Sequence, residues 1–222
     1  VVFYSNQFAG MEMDKKYNAS MGFFNAPDIA PYIFDHHNTH VFDNDILLLD
    51  EYKRKQSDIE TNKRNFIIFH LCGQHAAYSE RYPETIVKFN ANDIKSKLPL
   101  NDEQRGVVAD YLNATLYNDL VVDSIISMFS NRDAIVLYFS DHGEEVYNFR
   151  LQQERTDLKT DDPRAMRYQL DIPFLIYVSP LYAAKHPQQV ERIRRSVNRP
   201  FMTDNLPQVI FDLLGVHTSY YK

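Results

Sequence analysis

An apolar run over 134–140 leads straight into Asp141-His142-Gly143-Glu144. A carboxylate oxygen beside an imidazole nitrogen is a donor pair suited to Zn²⁺, Mn²⁺ or a similar divalent ion. In open α/β sheets, sites gather at the carboxyl ends of strands, which is where this pair would fall. Gly143 would let the backbone turn sharply behind the two donors. The same residues also fit a plain strand end, with Asp141 capping the next helix and His142 on the surface. Spacing alone does not choose between the two.

A second apolar run, 66–71, ends in Cys72-Gly73-Gln74-His75 and is followed by Tyr78, Arg81, Tyr82 and Pro83. Two strands that each bring a histidine to the same sheet edge could build one polar pocket. His70, inside the run, reads as a satisfied core histidine, and His75 as either a loop histidine or a site residue. His36, His37 and His40 lie in a polar stretch with no strand or helix to fix them, and read as loop residues. No G-x-S-x-G elbow, phosphate-cradling glycine loop or dinucleotide fingerprint is present, and six glycines in the whole chain leave little to build one from.

The elements that must position these residues are readable at low resolution. The 222 residues, 44% hydrophobic, suffice for one core and a single domain over 1–222. Runs 1–4, 66–71, 134–140 and 173–178 are nearly continuous in apolar residues, the pattern of strands covered on both faces in a parallel sheet. Helical spacing covers 45–55, 102–129, 188–197 and 203–214. Asp43 or Asn44, Asn101 or Asp102, and Thr203 are the expected caps, and Gly215 the last stop. On the longest helix the expected apolar face is Val108, Leu112, Leu116, Leu120, Ile125, Met128 and Phe129. The stretches 6–31 and 149–169 read as long loops, the second directly after the Asp-His motif. Strands alternating with helices make an α/β layered domain with a mostly parallel sheet.

Composition removes several function classes. The net charge is −6, and the cluster Arg192, Arg194, Arg195 and Arg199 reads as the solvated side of a C-terminal helix, so no nucleic-acid-binding face is expected. One cysteine, Cys72, excludes an intrachain disulfide and a cysteine-rich zinc site, and reads as a small buried hydrophobe. No run approaches the roughly 18 apolar residues that span a bilayer, and no signal peptide is visible. The chain opens on a strand-like run without Met, so the N-terminal part of a longer protein is expected to be missing.

These motifs, in order, resemble phosphoethanolamine transferases of the alkaline phosphatase/sulfatase superfamily. Gly73-Gln74-His75, Tyr78 and Glu80-Arg81-Tyr82-Pro83 are similar to the family's "G-S/N-H … Y … R-Y-P". The helix residues Leu116-Tyr117-Asn118-Asp119 with Asp123 are similar to "Y-D-N … D". Ser140-Asp141-His142-Gly143-Glu144 matches "S-D-H-G-E", and Ile172-Pro173-Phe174 resembles the strand entry that follows it. Thr203-Asp204-Asn205-Leu206 with Leu213-Leu214-Gly215-Val216 is similar to the closing helix, and Ser5-Asn6-Gln7 fits after the first strand.

The resemblance implies an alkaline-phosphatase-like three-layer α/β/α sandwich with its N-terminal part missing. It implies one or two Zn²⁺ (or Mn²⁺) ions, with Asp141 and His142 as metal ligands and His75 as a catalytic contact to the transferred phosphoryl group or a second metal. It implies transfer of phosphoethanolamine from the phospholipid phosphatidylethanolamine to a glycolipid acceptor such as lipid A, through a phospho-threonine. The parent chain would sit in a bacterial inner membrane through N-terminal helices, with its catalytic domain in the periplasm. The threonine and an acidic ligand would lie upstream, so these residues alone should hold an incomplete site and be inactive. The missing strands should also leave an open sheet edge and a tendency to self-associate. The family often has a second histidine after "S-D-H-G-E"; 145–170 has none, and an arginine such as Arg150, Arg155, Arg164 or Arg167 would be suited to take over phosphate contact. A sulfatase, a phosphoglycerol transferase, or a non-catalytic domain that kept the fold are the alternatives.

Overall fold

The computed structural model describes residues 1–7, 29–61, 64–155 and 162–219, and the chain packs as two compact units. Most of the expected 6–31 loop lies outside the described residues. The first unit comprises Val1–Asp123 with Val146–Glu154, and the second Ser124–Glu145 with Arg155–Lys222.

The first unit is built on a parallel sheet of order β2-β1-β3, with β1 Val2–Ser5, β2 His36–His37 and β3 Ile67–His70. Val2 pairs with His36 on one side and with Ile67 on the other. His36 and His37 are therefore strand residues rather than loop residues, because β1 offers them an open edge that the polar sequence around them does not advertise. Alternation along β1 divides its side chains between two faces. Phe3 stacks on Phe34 at 4.7 Å in a cluster with Ala30, from the short helix α1 Ala30–Ile33, and Ile68. Tyr4 meets Tyr52 edge-on and Phe69, and Tyr52 also meets Phe69. Tyr52 comes from α2 Ile46–Ile59, which buries Leu48, Leu49, Tyr52 and Ile59 and runs about one turn beyond its expected end.

The long helix α3 spans Asp102–Phe129, as its periodicity predicts. It starts with a capping box: Asn101 accepts from the Gln104 amide while the Gln104 side chain accepts from the Asn101 amide. Its buried residues are Ala109, Asn113, Ala114, Tyr117, Asn118, Val121, Val122, Ile125 and Phe129, and Leu120 stays exposed. Ile125 and Phe129 are buried as expected, whereas earlier in the helix the buried face is rotated: Asn113 and Asn118 lie inside, and Asn113 is hydrogen-bonded there to Lys88 and Phe89.

The second unit holds β4 Ile135–Phe139 and β5 Phe174–Val178, paired antiparallel with Ile135 opposite Val178 and Phe139 opposite Phe174. Their apolar runs predicted burial on both faces in a parallel arrangement. Most of their residues are only half-buried, and an apolar run carries no information about strand direction. Helix α4 Pro163–Leu170 occupies part of the expected 149–169 loop, and α5 Pro180–Lys185 and α6 Pro187–Ser196 follow β5. All three begin on proline, whose missing N–H costs nothing in a first turn. Ser179 caps α5 by accepting from the Tyr182 amide. Thr203 does not cap the last helix; 203–205 form a 3₁₀ turn that leads into α7 Leu206–Leu214. Gly215, at φ 65°, ends α7 as expected.

Candidate active-site loops

In the first unit, β1 and β3 both end in a buried polar network. Ser5 hydroxyl and His70 Nδ1 are 2.9 Å apart, so His70 is a satisfied strand histidine. Asn38 ties down the end of β1, accepting from the Ser5 amide at 2.8 Å and donating to the Ser5 carbonyl at 2.7 Å.

The Gly73-Gln74-His75 segment is a turn closed by the His75 amide on the Cys72 carbonyl at 3.2 Å. Gly73 has φ 56°, a left-handed conformation that favours glycine. His75 is exposed on this turn. Two flanking groups brace it. Arg81 donates to Cys72 Sγ at 3.2 Å and to the Ala76 carbonyl at 3.3 Å. Asp45, from the start of α2, accepts from the Cys72 and Gly73 amides at 3.0 and 2.8 Å. Burial pushes the Cys72 thiol up, against the opposing pull of Arg81, and so favours the neutral thiol.

Further along, Tyr82 donates to Asp110 at 2.8 Å, and burial raises its phenol. Asn113 is fully buried; its Oδ1 accepts from the Lys88 and Phe89 amides, both at 2.9 Å, and its Nδ2 donates to the Phe89 carbonyl at 2.9 Å. Neither Asp45 nor Asn113 stood out in the sequence, since each reads as an ordinary polar residue on a helix and its partners are 24 to 39 positions away.

In the second unit, β4 delivers Asp141 and His142 to one loop. His142 Nε2 is 3.5 Å from Asp141 Oδ2. His142 Nδ1 is 2.8 Å from the Gly143 carbonyl, which can only accept, so Nδ1 carries a proton and Nε2 is the nitrogen that faces Asp141. Nε2 and the carboxylate oxygen face each other, and either a proton on Nε2 or a cation between the two completes the arrangement. Two ligands of a tetrahedral zinc ion at about 2.0–2.1 Å lie roughly 3.3 Å apart, close to the separation seen. Asp141 is 86% exposed at its side chain, so the pair is open to solvent. Asp141 does not cap the following helix; Asp162 does, accepting from the Arg164 amide at 2.9 Å. Among the described residues, no three His, Cys, Asp or Glu side chains gather into a metal-holding group.

The loop is anchored from α4. The Gly143 amide donates to the Gln169 carbonyl at 2.9 Å, and Gln169 Nε2 donates to buried Glu145 at 3.1 Å. A Cβ on Gly143 would lie 2.3 Å from the Tyr168 carbonyl oxygen. Glycine is thus required by close backbone approach, not by the sharp turn expected of it. Of the candidate arginines, Arg164 forks onto Asp162 and Arg167 lies 3.6 Å from Asp171, while the Arg150 guanidinium sits 5.2 Å over the Phe149 ring.

The strands, helices and loops define an α/β protein with an alkaline-phosphatase-like fold. Its overall structure is similar to that of the C-terminal periplasmic domain of EptC from Escherichia coli in complex with Zn, with a TM-score of 0.77 and 27% identity, covering 100% of this chain and 59% of that one. The sulfatase family pattern matches residues 2–216, and the chain belongs to the sulfatase family. Phosphoethanolamine transferase EptC of Escherichia coli K12 is 37% identical over 160 residues, 71% of this chain and 27% of that protein. Kdo(2)-lipid A phosphoethanolamine 7''-transferase of Salmonella typhimurium is 27% identical over 154 residues, 68% of this chain and 26% of that protein. The chain therefore spans about a quarter of the length of these curated relatives. No described helix is long and apolar enough to cross a membrane.

Proposed function

We propose that these residues form part of the catalytic domain of a metal-dependent phosphoethanolamine transferase. In this reading the group moves from phosphatidylethanolamine to a cell-surface glycolipid such as lipid A. The observation that carries it is the Asp141–His142 pair, with Nε2 and Oδ2 3.5 Å apart and Nδ1 committed to Gly143. Asp141 and His142 would be metal ligands, and zinc fits their donor types and spacing. A zinc ion there would supply Lewis-acid stabilisation of phosphoryl oxygens and lower the pKa of a hydroxyl nucleophile. His75, exposed on its braced turn, would contact the transferred phosphoryl group, where an imidazole can stabilise charge or protonate a leaving oxygen.

The threonine nucleophile and the remaining ligands would belong to the part of the relatives that this chain does not span. A phospho-threonine would divide the transfer into two displacements, the first releasing diacylglycerol and the second regenerating the hydroxyl. The complete protein would act at the periplasmic face of a bacterial inner membrane.

The test uses the complete protein, incubated with phosphatidylethanolamine and zinc, digested and searched by mass spectrometry. A phosphoethanolamine adduct on a threonine that disappears with His142→Ala supports the reading. Hydrolysis of a sulfate ester with no adduct would replace transferase with sulfatase. Neither reaction would leave a non-catalytic domain.

A further inference from the structure

We propose that Asp45 is a positioning residue that acts through the Cys72–Gly73 peptide to hold His75 in place, an inference that rests on the function proposed above. Asp45 stands at the start of α2, where a side chain ordinarily caps its own helix, yet it makes no such bond. Its carboxylate instead reaches across to the end of β3. Oδ1 accepts from Asn6 Nδ2 at 2.8 Å and from the Cys72 amide at 3.0 Å, and Oδ2 accepts from the Gly73 amide at 2.8 Å.

Three features make this more than a routine buried contact. Asp45 is 7% exposed, and a carboxylate taken from water is costly unless its oxygens are hydrogen-bonded, as both are here. Its two oxygens grip successive amides, which fixes the plane of the Cys72–Gly73 peptide, and bonds to an ionised acceptor are the stronger kind. Its third partner, Asn6, is itself buried and accepts from the Phe42 amide at 2.7 Å, so the hub joins the ends of β1 and β3 to the start of α2. The turn held this way contains the left-handed Gly73 and closes on the His75 amide. Only an anion can accept three N–H groups here without presenting a donor of its own.

Asp45→Asn keeps the shape and turns one acceptor oxygen into a donor that faces an N–H. Two measurements on the complete protein follow. Amide exchange at Cys72 and Gly73 should speed up in Asp45→Asn while circular dichroism stays as in the parent; unchanged exchange overturns the brace. Transfer kcat/KM should fall by up to about 100-fold, the scale for small misplacement of a catalytic group. In a His75→Ala background the same substitution should cost nothing further, because the group it positions is gone. An equal fold loss in both backgrounds shows a purely structural residue and overturns the inference. A parent protein that transfers no phosphoethanolamine defeats the functional reading instead, and exchange then decides alone whether Asp45 holds the turn.

Discussion

His142 holds Nε2 3.5 Å from Oδ2 of Asp141 while its Nδ1 hydrogen is bound to the carbonyl of Gly143. With Nδ1 bound to Gly143, Nε2 can meet the carboxylate either by carrying a proton or by sharing a cation with it. The complete protein is expected to bind zinc, and Asp141→Ala and His142→Ala should each weaken it by more than the roughly 10–100-fold that loss of an outer-shell partner costs. Competition against a zinc-chelating dye measures this. Parental affinity in Asp141→Ala would remove the pair from the metal site.

Gly143 offers a separate handle on the same loop. An added methyl would meet the Tyr168 carbonyl at 2.3 Å, and the atoms it meets are backbone, which cannot rotate away as a side chain can. Gly143→Ala should therefore destabilise by about 1–3 kcal/mol, the range for overpacked sites. It should also weaken zinc binding, because the loop shifts against α4. Urea denaturation and the dye competition read the two effects. A variant as stable as the parent contradicts the packing of this loop on α4.

Asp141 and His142 stood out as a candidate pair because their types are chemically marked, and the structure places them together on the loop after β4. Gly143 was legible as a needed glycine, but its reason lies in the carbonyls of 168 and 171, which spacing does not reveal. Helix α3 was legible in extent from its period, and its buried stripe only in part: Ile125 and Phe129 are inside as expected, but so are Asn113 and Asn118, while Leu120 is out. Asp45 read only as the first residue of the expected helix, with Asp43 or Asn44 as its cap. Its role depends on amides 27 and 28 positions away, and such long-range hydrogen bonding leaves no periodic trace. The antiparallel pairing of β4 and β5 was equally hidden, because apolar runs report burial and not direction.

Asn113 is expected to be a large single-residue contributor to stability. Its Oδ1 is the acceptor for two amides, of Lys88 and Phe89, from a position with no exposed surface. Asn113→Ala leaves both donors without it, and an unsatisfied buried donor costs about 1–3 kcal/mol. A loss of about 3 kcal/mol is expected by urea denaturation, with amide exchange faster at 88 and 89. A loss under about 1 kcal/mol, the net worth of one ordinary hydrogen bond, would show that this segment holds without Asn113.

Tyr4 should behave in the opposite way. Its ring packs against Tyr52 and Phe69, but its buried hydroxyl has no hydrogen-bond partner among the described residues. Tyr4→Phe keeps the ring and removes the stranded polar atom, so it should stabilise by about 1 kcal/mol at neutral pH. Burial also pushes the Tyr4 phenol from 10.0 up to about 12. The unfolded chain thus loses this proton first. The stability linked to it is fully present below about pH 10 and drains away as pH rises to about 12. The gain from Tyr4→Phe should therefore widen across that window, as denaturation at pH 7 and pH 11 would show. A variant less stable than the parent at pH 7 would mean that the hydroxyl has a partner after all.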